Sequence, residues 1–338
     1  KGEKMDKAQG KLSSNNHASC SGLPALFGLS HYETRTEYLH SRIQARKGIE
    51  PPKQVKSIQA EMGDVLEPVI LNKAVEKLGL TDLIMNHPEA VKHKEFPLEG
   101  SLDGVAKADN LIITPDNDVI YTEDDEPISL NGLGVLEAKA TALMPETDGK
   151  APAWRGLLQT KALCAILGYS WGCIATLHRS TLFKLTLIRR DFAFERELKE
   201  VILDFERRIV EEDYYPPVSL KDTQTMFGKE APGKEIDLDN EIITYHLNRH
   251  EENKAKIKLL TEENKESQLK IQEFMADAEI GNHPNFQATW GSRNYKAQPE
   301  KIVPAKEAYT VRSSTINIKR IDHEERQQSN PENKSEST

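Results

Sequence analysis

Two short segments of this chain carry residue types that can do chemistry together. Residues 98–104, Leu-Glu-Gly-Ser-Leu-Asp-Gly, set Asp103 after an apolar residue and before Gly104, a strand-end pattern that exposes a carboxylate at the mouth of a site. Residues 134–139, Gly-Val-Leu-Glu-Ala-Lys, set Glu137 and Lys139 two positions apart, so on a strand both point to one face and Ala138 to the other. Two carboxylates and an ammonium within reach of one another are the minimal kit for metal-dependent phosphodiester cleavage. A hard divalent cation such as Mg2+ needs few protein oxygens, because water and substrate phosphate complete its octahedron. The ion polarises the scissile phosphate and acidifies a coordinated water, while a neighbouring lysine orients that water or meets the developing charge. Taken alone, Glu-x-Lys also fits a solvated, salt-bridging strand face. Against that, Gly134-Val135-Leu136 reads as a buried strand, and a buried strand that ends in charge needs a partner.

Two further segments must position this set. Residues 62–78 have helical apolar spacing and place Glu67 among apolar neighbours, with a pairing to Lys73 or Lys77 as the bland alternative. Residues 154–168 read as a largely apolar helix carrying one amide, Gln159, and lead into a strand over 172–177. A buried Gln commonly just caps a strand backbone group.

The ordered set Ala18-Ser19, Gly28-Leu29-Ser30, Gly63-x-x-x-Glu67-Pro68, Gly100-Ser101-Leu102-Asp103-Gly104, Leu136-Glu137-Ala138-Lys139 and Gln159 followed by Gly168 resembles the phage lambda exonuclease, or YqaJ-type viral recombinase, branch of the PD-(D/E)XK nucleases. The resemblance runs from residue 16 to about residue 215. It implies an α/β, restriction-endonuclease-like core: a mixed central sheet flanked by helices. It implies Mg2+ or Mn2+ held by Asp103, Glu137 and the carbonyl of Ala138, with Glu67 in the outer shell or acting through water. It makes Lys139 the catalytic lysine, has Gln159 steady the attacking water or Lys139, and gives Ser19 a part in holding a terminal 5′-phosphate. It further implies a homotrimeric ring and a single-strand annealing protein as partner. The family has a basic residue within an apolar stretch just before the Ala-Ser; here residues 11–17 are polar, and Lys11 alone can fill that place.

The segment between Asp103 and Glu137 is longer than in compact relatives. Residues 111–121 read as strand, turn, strand, with Pro115-Asp116-Asn117-Asp118 as the turn, so an extended hairpin within the sheet is expected. Residues 123–126 read as a solvated acidic loop.

Composition bounds the remainder. A chain of 338 residues can bury one sizeable core plus an appendage. It has no apolar run long enough for a membrane span and no signal-peptide pattern, so a cytoplasmic location is expected, in the host cytoplasm if phage-encoded. Cys20, Cys164 and Cys173 are odd in number and lack ligand spacing, which argues against disulfides. The ten histidines form no zinc-like cluster with cysteine. A net charge of −9 argues against nonspecific coating of DNA, which leaves binding to local patches. Arg35, Arg42, Arg46, Lys47, Lys53 and Lys56 form one such patch, and Arg179, Lys184, Arg189 and Arg190 a second. Either also fits ordinary surface charge.

Residues 191–213 read as an amphipathic helix with Phe192, Phe194, Leu198, Val201, Ile202, Phe205 and Ile209 inward. Residues 218–235 read as a loop, and 236–279 as one long charged helix with a thin apolar seam. Beyond it, residues 286–290 and 315–318 read as two short strands, with Arg293, Lys296, Arg312 and Lys319 available to DNA. The expected organisation is a flexible tail over 1–15, a nuclease domain over 16–217, a linker over 218–235, a helical and β-hairpin appendage over 236–322, and a disordered tail over 323–338.

The leading expectation is therefore a Mg2+-dependent exonuclease that degrades one strand of linear duplex, 5′ to 3′ by the resemblance, exposing a 3′ strand for phage-type recombination. An endonuclease or nickase on the same core, and a noncatalytic DNA-end-binding protein, stand as alternatives.

Overall fold

The computed structural model describes residues 13–49, 57–85, 87–146 and 148–291. Lys11, Lys53, Lys56, Arg293, Lys296, Arg312 and Lys319, the strand expected over 315–318 and the tail over 323–338 lie outside them. The chain divides into two compact units between Gly228 and Lys229.

In the first unit the longest strand, β7 (Ile128–Thr141), explains the layering. Buried Ile128 and Leu130 alternate with exposed Ser129 and Asn131, whereas Gly134 through Glu137 are all buried. The strand thus has one face covered along its first half and both faces covered where the acidic residue sits. β5 (Gly104–Ile113) pairs antiparallel with β7, and β2 (Thr81–Met85) antiparallel with β5. On the other side β8 (Trp171–His178) runs parallel to β7, and β9 (Leu182–Arg189) antiparallel to β8. β6 (Ile120–Thr122) closes the edge parallel to β9, giving a six-stranded mixed sheet in the order β2-β5-β7-β8-β9-β6. A small second sheet joins β1 (Ala18–Ser19), β4 (Leu98–Gly100) and β3 (Val91–Lys92).

Each face of the large sheet has its own core. Val105 and Val135 pack with residues of α1 (Leu23–Leu26), α2 (Arg35–Arg46), α4 (Leu158–Leu167) and α5 (Phe192–Glu211). Leu136, Trp171, Cys173 and Ala175 pack with Ile70, Leu71, Ala74 and Leu78 of α3 (Ile58–Leu78). Adjacent Val135 and Leu136 therefore serve opposite cores, as the two-residue period of a strand requires. Tyr38 of α2 stacks on Phe205 of α5 at 5.3 Å between ring centres. The three cysteines are buried free thiols, and burial pushes Cys164 and Cys173 up to about 12.

Several local expectations give way to tertiary contacts. β5 and β6 do not form a hairpin: Asp116 Oδ1 accepts the amides of Asp118, Val119 and Ile120, turning the chain out toward β9, where Leu185 N donates to Val119 O. The acidic loop is tied down, with Glu123 paired to Lys161, Asp124 to Arg189 and Asp125 to Lys150. Regular helix begins at Leu158 rather than at 154, because Gly156 takes a left-handed φ of 88°. Phe192 is 62% exposed, for it precedes the first inward turn of α5.

The expected loop over 218–235 contains α6 (Leu220–Met226), started by a capping box between Ser219 and Asp222. Asp222 is buried and accepts from Thr34 Oγ1 at 2.5 Å and from the amides of Val218 and Ser219, which anchors α6 to α2. Ser14 and Asn15, placed in the flexible tail, are bonded to Glu99 and Arg42.

The second unit contains α7 (Glu241–Met275), capped by Asn240. Phe286–Thr289, β11, pairs with β10 (Ile280–His283) across a two-residue turn, so its partner is the stretch just after α7 and not the strand expected over 315–318.

Candidate active site

Glu137 and Lys139 lie on the face of β7 that Val135 shares with α4, and parallel pairing with β8 sets Glu137 beside Ile174 and Lys139 beside Thr176. Asp103 occupies the short link between β4 and β5, where its Oδ2 accepts the Ala138 amide at 2.9 Å. Gln159, in the first turn of α4, brings Oε1 to 3.4 Å from Lys139 Nζ, and Lys139 forms an ion pair with Glu137 Oε1. Gly156 makes this approach possible. A Cβ there would stand 2.9 Å from Ile174 Cγ2 and 3.6 Å from Lys139 Cε, so a side chain would crowd the lysine's wall. Sequence reading missed this role because the glycine sits within an apolar run that resembles helix; a glycine three positions before a site residue is the signal that was there.

Electrostatics bind the set more tightly than distance alone. Burial first, and then the negative charge of Asp103, push the Glu137 carboxyl up to about 8 against the lowering pull of Lys139. Burial alone would lower Lys139, but the charges of Glu137 and Asp103, the Glu137 hydrogen bond and the charge of Glu67 outweigh it and hold the ammonium above its ordinary value. Half-buried Glu67 of α3 thus acts on the same lysine. Burial, and next the charge of Glu137, also raise the Cys20 thiol, which marks the chain just after Ser19 as a neighbour of the site.

The donor set suits a hard dication. Glu137 Oε2 is buried without a hydrogen-bond partner, and a carboxyl raised by burial and by the Asp103 charge is one that a cation would relieve. Among the described residues no three or more His, Cys, Asp or Glu form a ready cage. Mg2+ or Mn2+ at Asp103, Glu137 and the Ala138 carbonyl would draw its remaining ligands from water and phosphate.

The expected 5′-phosphate residues are placed unequally. Ser19 is buried; its amide donates to Tyr38 OH at 2.9 Å, and its hydroxyl lies 3.2 Å from Ser21 Oγ. Arg42 is buried over the Tyr38 ring with Nη1 on Asn15, and Arg46 pairs with Glu206. Arg35 is exposed at the start of α2. Of the second basic patch, Arg189 pairs with Asp124, Arg190 with Glu195, and Lys184 with Asp118.

Two motif-like spacings also occur. Gly168-Tyr169-Ser170-Trp171-Gly172 joins a helix to a strand, the reverse of the strand-to-helix turn that exposes a nucleophilic serine. Gly228 to Lys234 has phosphate-loop spacing, but Glu235 stands where Ser or Thr is needed, and no strand leads into it.

Neither a family model nor a curated protein matches the chain. It is similar to solved exonucleases. One is the alkaline exonuclease LHK-Exo from Laribacter hongkongensis, at 16% identity over 58% of this chain and 89% of that one, with a TM-score of 0.42. The same exonuclease in complex with dAMP gives 17% identity, the same coverage and a TM-score of 0.41. A phage-related exonuclease from Haemophilus somnus 129PT gives 12% identity over 58% of this chain and 96% of that one, with a TM-score of 0.38.

Proposed function

We propose that the chain is a metal-dependent deoxyribonuclease of the PD-(D/E)XK type that degrades one strand of linear duplex DNA, 5′ to 3′, exposing 3′ single strand for recombination. The observation that carries the chemistry is the convergence of Asp103, Glu137, Lys139 and Gln159, with Glu137 Oε2 buried and unpartnered. A bound Mg2+ or Mn2+ would supply charge neutralisation at the scissile phosphate and an acidified water. Asp103 and Glu137 would hold it, with the Ala138 carbonyl as third protein oxygen. Lys139, held cationic by its carboxylate neighbours, places an ammonium where charge develops on the phosphate oxygens. Gln159 steadies that ammonium through Oε1, and Glu67 adds negative charge at the outer edge of the set.

Polarity, end use and assembly follow from the sequence resemblance. Duplex ends are the substrate, Ser19 and Arg35 belong to the end-reading side, and a homotrimer working with a single-strand annealing protein is the assembly. The deciding experiment digests linear and closed circular DNA, with 5′-phosphate and 5′-hydroxyl ends, in Mg2+, Mn2+ and EDTA. Metal-dependent release from linear DNA alone supports the exonuclease. Cutting of closed circles turns the reading to an endonuclease, and binding without cleavage in any metal turns it to an end-binding protein.

A further inference from the structure

The segment that leads into Gly156 carries a cluster of rings that the phosphodiester chemistry does not use. Trp154 and Arg155 immediately precede Gly156, which lies against Lys139. His31 stacks on Trp154 at 4.5 Å between centres with the planes 19° apart, and Tyr32 meets the same ring edge-on at 6.1 Å. Arg155 locks the group: its guanidinium carbon lies 4.4 Å from the centre of the Trp154 ring, and Nη2 donates to Tyr32 OH at 2.9 Å. Trp154 is half-buried, whereas His31 is exposed and Tyr32 is 73% exposed. Two aromatic residues therefore hold ring surface toward solvent on a fixed backing, an arrangement hydrophobic burial does not explain.

His31 and Tyr32 also wall a cleft of about 820 Å3 that reaches Arg35, Tyr215 and Lys221. Its size lies within the range of small-ligand sites. Its charges largely cancel, since Lys221 pairs with Glu37, and Glu33 and Arg35 both line the same cleft. Such a cleft offers flat apolar contact rather than phosphate capture. A nucleobase supplies a face to stack on rings irrespective of sequence, whereas a bare phosphate gains nothing from them.

We propose that His31 and Tyr32, backed by Trp154 and Arg155, form a stacking platform for one unpaired nucleobase of the DNA strand whose backbone enters the Lys139 site. The proposal rests on the nuclease reading for the identity of that strand. The rings position the strand and take no part in bond cleavage.

The test is an abasic scan. Labelled single strands, each lacking one base at a successive position from the 5′ end, are titrated against the full chain without divalent metal, so that nothing is cut. At one position, loss of the base weakens binding by about 5- to 150-fold for the wild type. That penalty falls below about twofold in the His31→Ala/Tyr32→Ala double variant and returns in His31→Phe/Tyr32→Phe, which keeps rings but not the hydroxyl. A penalty that survives removal of both rings, a penalty at no position, or no strand binding overturns the platform. Nucleotide release from linear duplex with Mg2+ is measured in parallel. Its absence sinks the nuclease reading and leaves the abasic result to stand on its own.

Discussion

Asp103 Oδ2 accepts the backbone amide of Ala138 across 2.9 Å, joining the β4–β5 link to β7, 35 residues further along the chain. The contact uses one oxygen of Asp103 to fix the carboxyl beside Glu137, and it holds the peptide that joins Glu137 to Ala138. Both carboxyls are thereby held by the sheet itself, with Gly104 paired to Leu136 next door.

Lys139→Ala should reduce metal-dependent release of nucleotides from linear duplex by at least about 100-fold, the usual scale for removing one charged group from a developing oxyanion. Duplex binding should change far less, since one ammonium contributes one of many phosphate contacts. Turnover and gel-shift measurements on the same preparation check both. Near-wild-type turnover would remove Lys139 from the mechanism.

The elevated Glu137 carboxyl ties stability to pH. In the metal-free protein the folded state keeps this proton between about pH 4.5 and 8, while the unfolded chain has lost it. The folded state then binds more protons, so the Glu137 contribution is fully present below pH 4.5 and is lost as pH rises through 8. Lys139, raised from 10.5, favours the folded state throughout that window and loses its effect only at higher pH. Glu137→Gln should therefore raise the metal-free Tm at pH 8 more than at pH 5, and added Mg2+ or Mn2+ should raise Tm of the wild type only. Equal Tm increments at both pH values would show that Glu137 carries no such burden.

Gly134→Ala tests how the second core meets β7. A Cβ at this position would fall 2.2 Å from Trp171 Cε2, inside a ring that is fully buried. Displacing the indole should cost about 1–3 kcal/mol or more by chemical denaturation, as overpacking of cores does. Gly156→Ala adds the cost of a φ of 88° to contact with Ile174, and it should lower both stability and turnover because Lys139 shares that wall.

Asp222→Ala removes the acceptor of three hydrogen bonds at a buried position. Deprived of that acceptor, the Thr34 hydroxyl and the Val218 and Ser219 amides should cost about 1–3 kcal/mol and open the 218–228 segment to proteolysis. Protection equal to the wild type would mean that α6 is held by other contacts.

Local chemistry written in the chain was enough for much of the site. Alternation on β7 put Glu137 and Lys139 on one face, a strand end put Asp103 at the surface of the sheet, and helical spacing put Glu67 and Gln159 on α3 and α4, because these depend only on backbone periods. Even the sharing of two cores by Val135 and Leu136 follows from that period. What periodicity cannot encode is which strand lies next to which. The apparent hairpin over 111–121 opens because Asp116 turns the chain and β9 offers a free edge for β6. Likewise, the arginines of α2 look equivalent along the sequence, yet Arg42 is buried on Tyr38 and Arg46 is committed to Glu206, while Arg35 stays exposed. Gly156 acquires its meaning only where Lys139 and Ile174 close on it. Residue types and backbone periods specify the chemistry and the faces that carry it; which carboxylate, lysine and amide meet depends on burial and strand pairing, which act between residues that the chain keeps far apart.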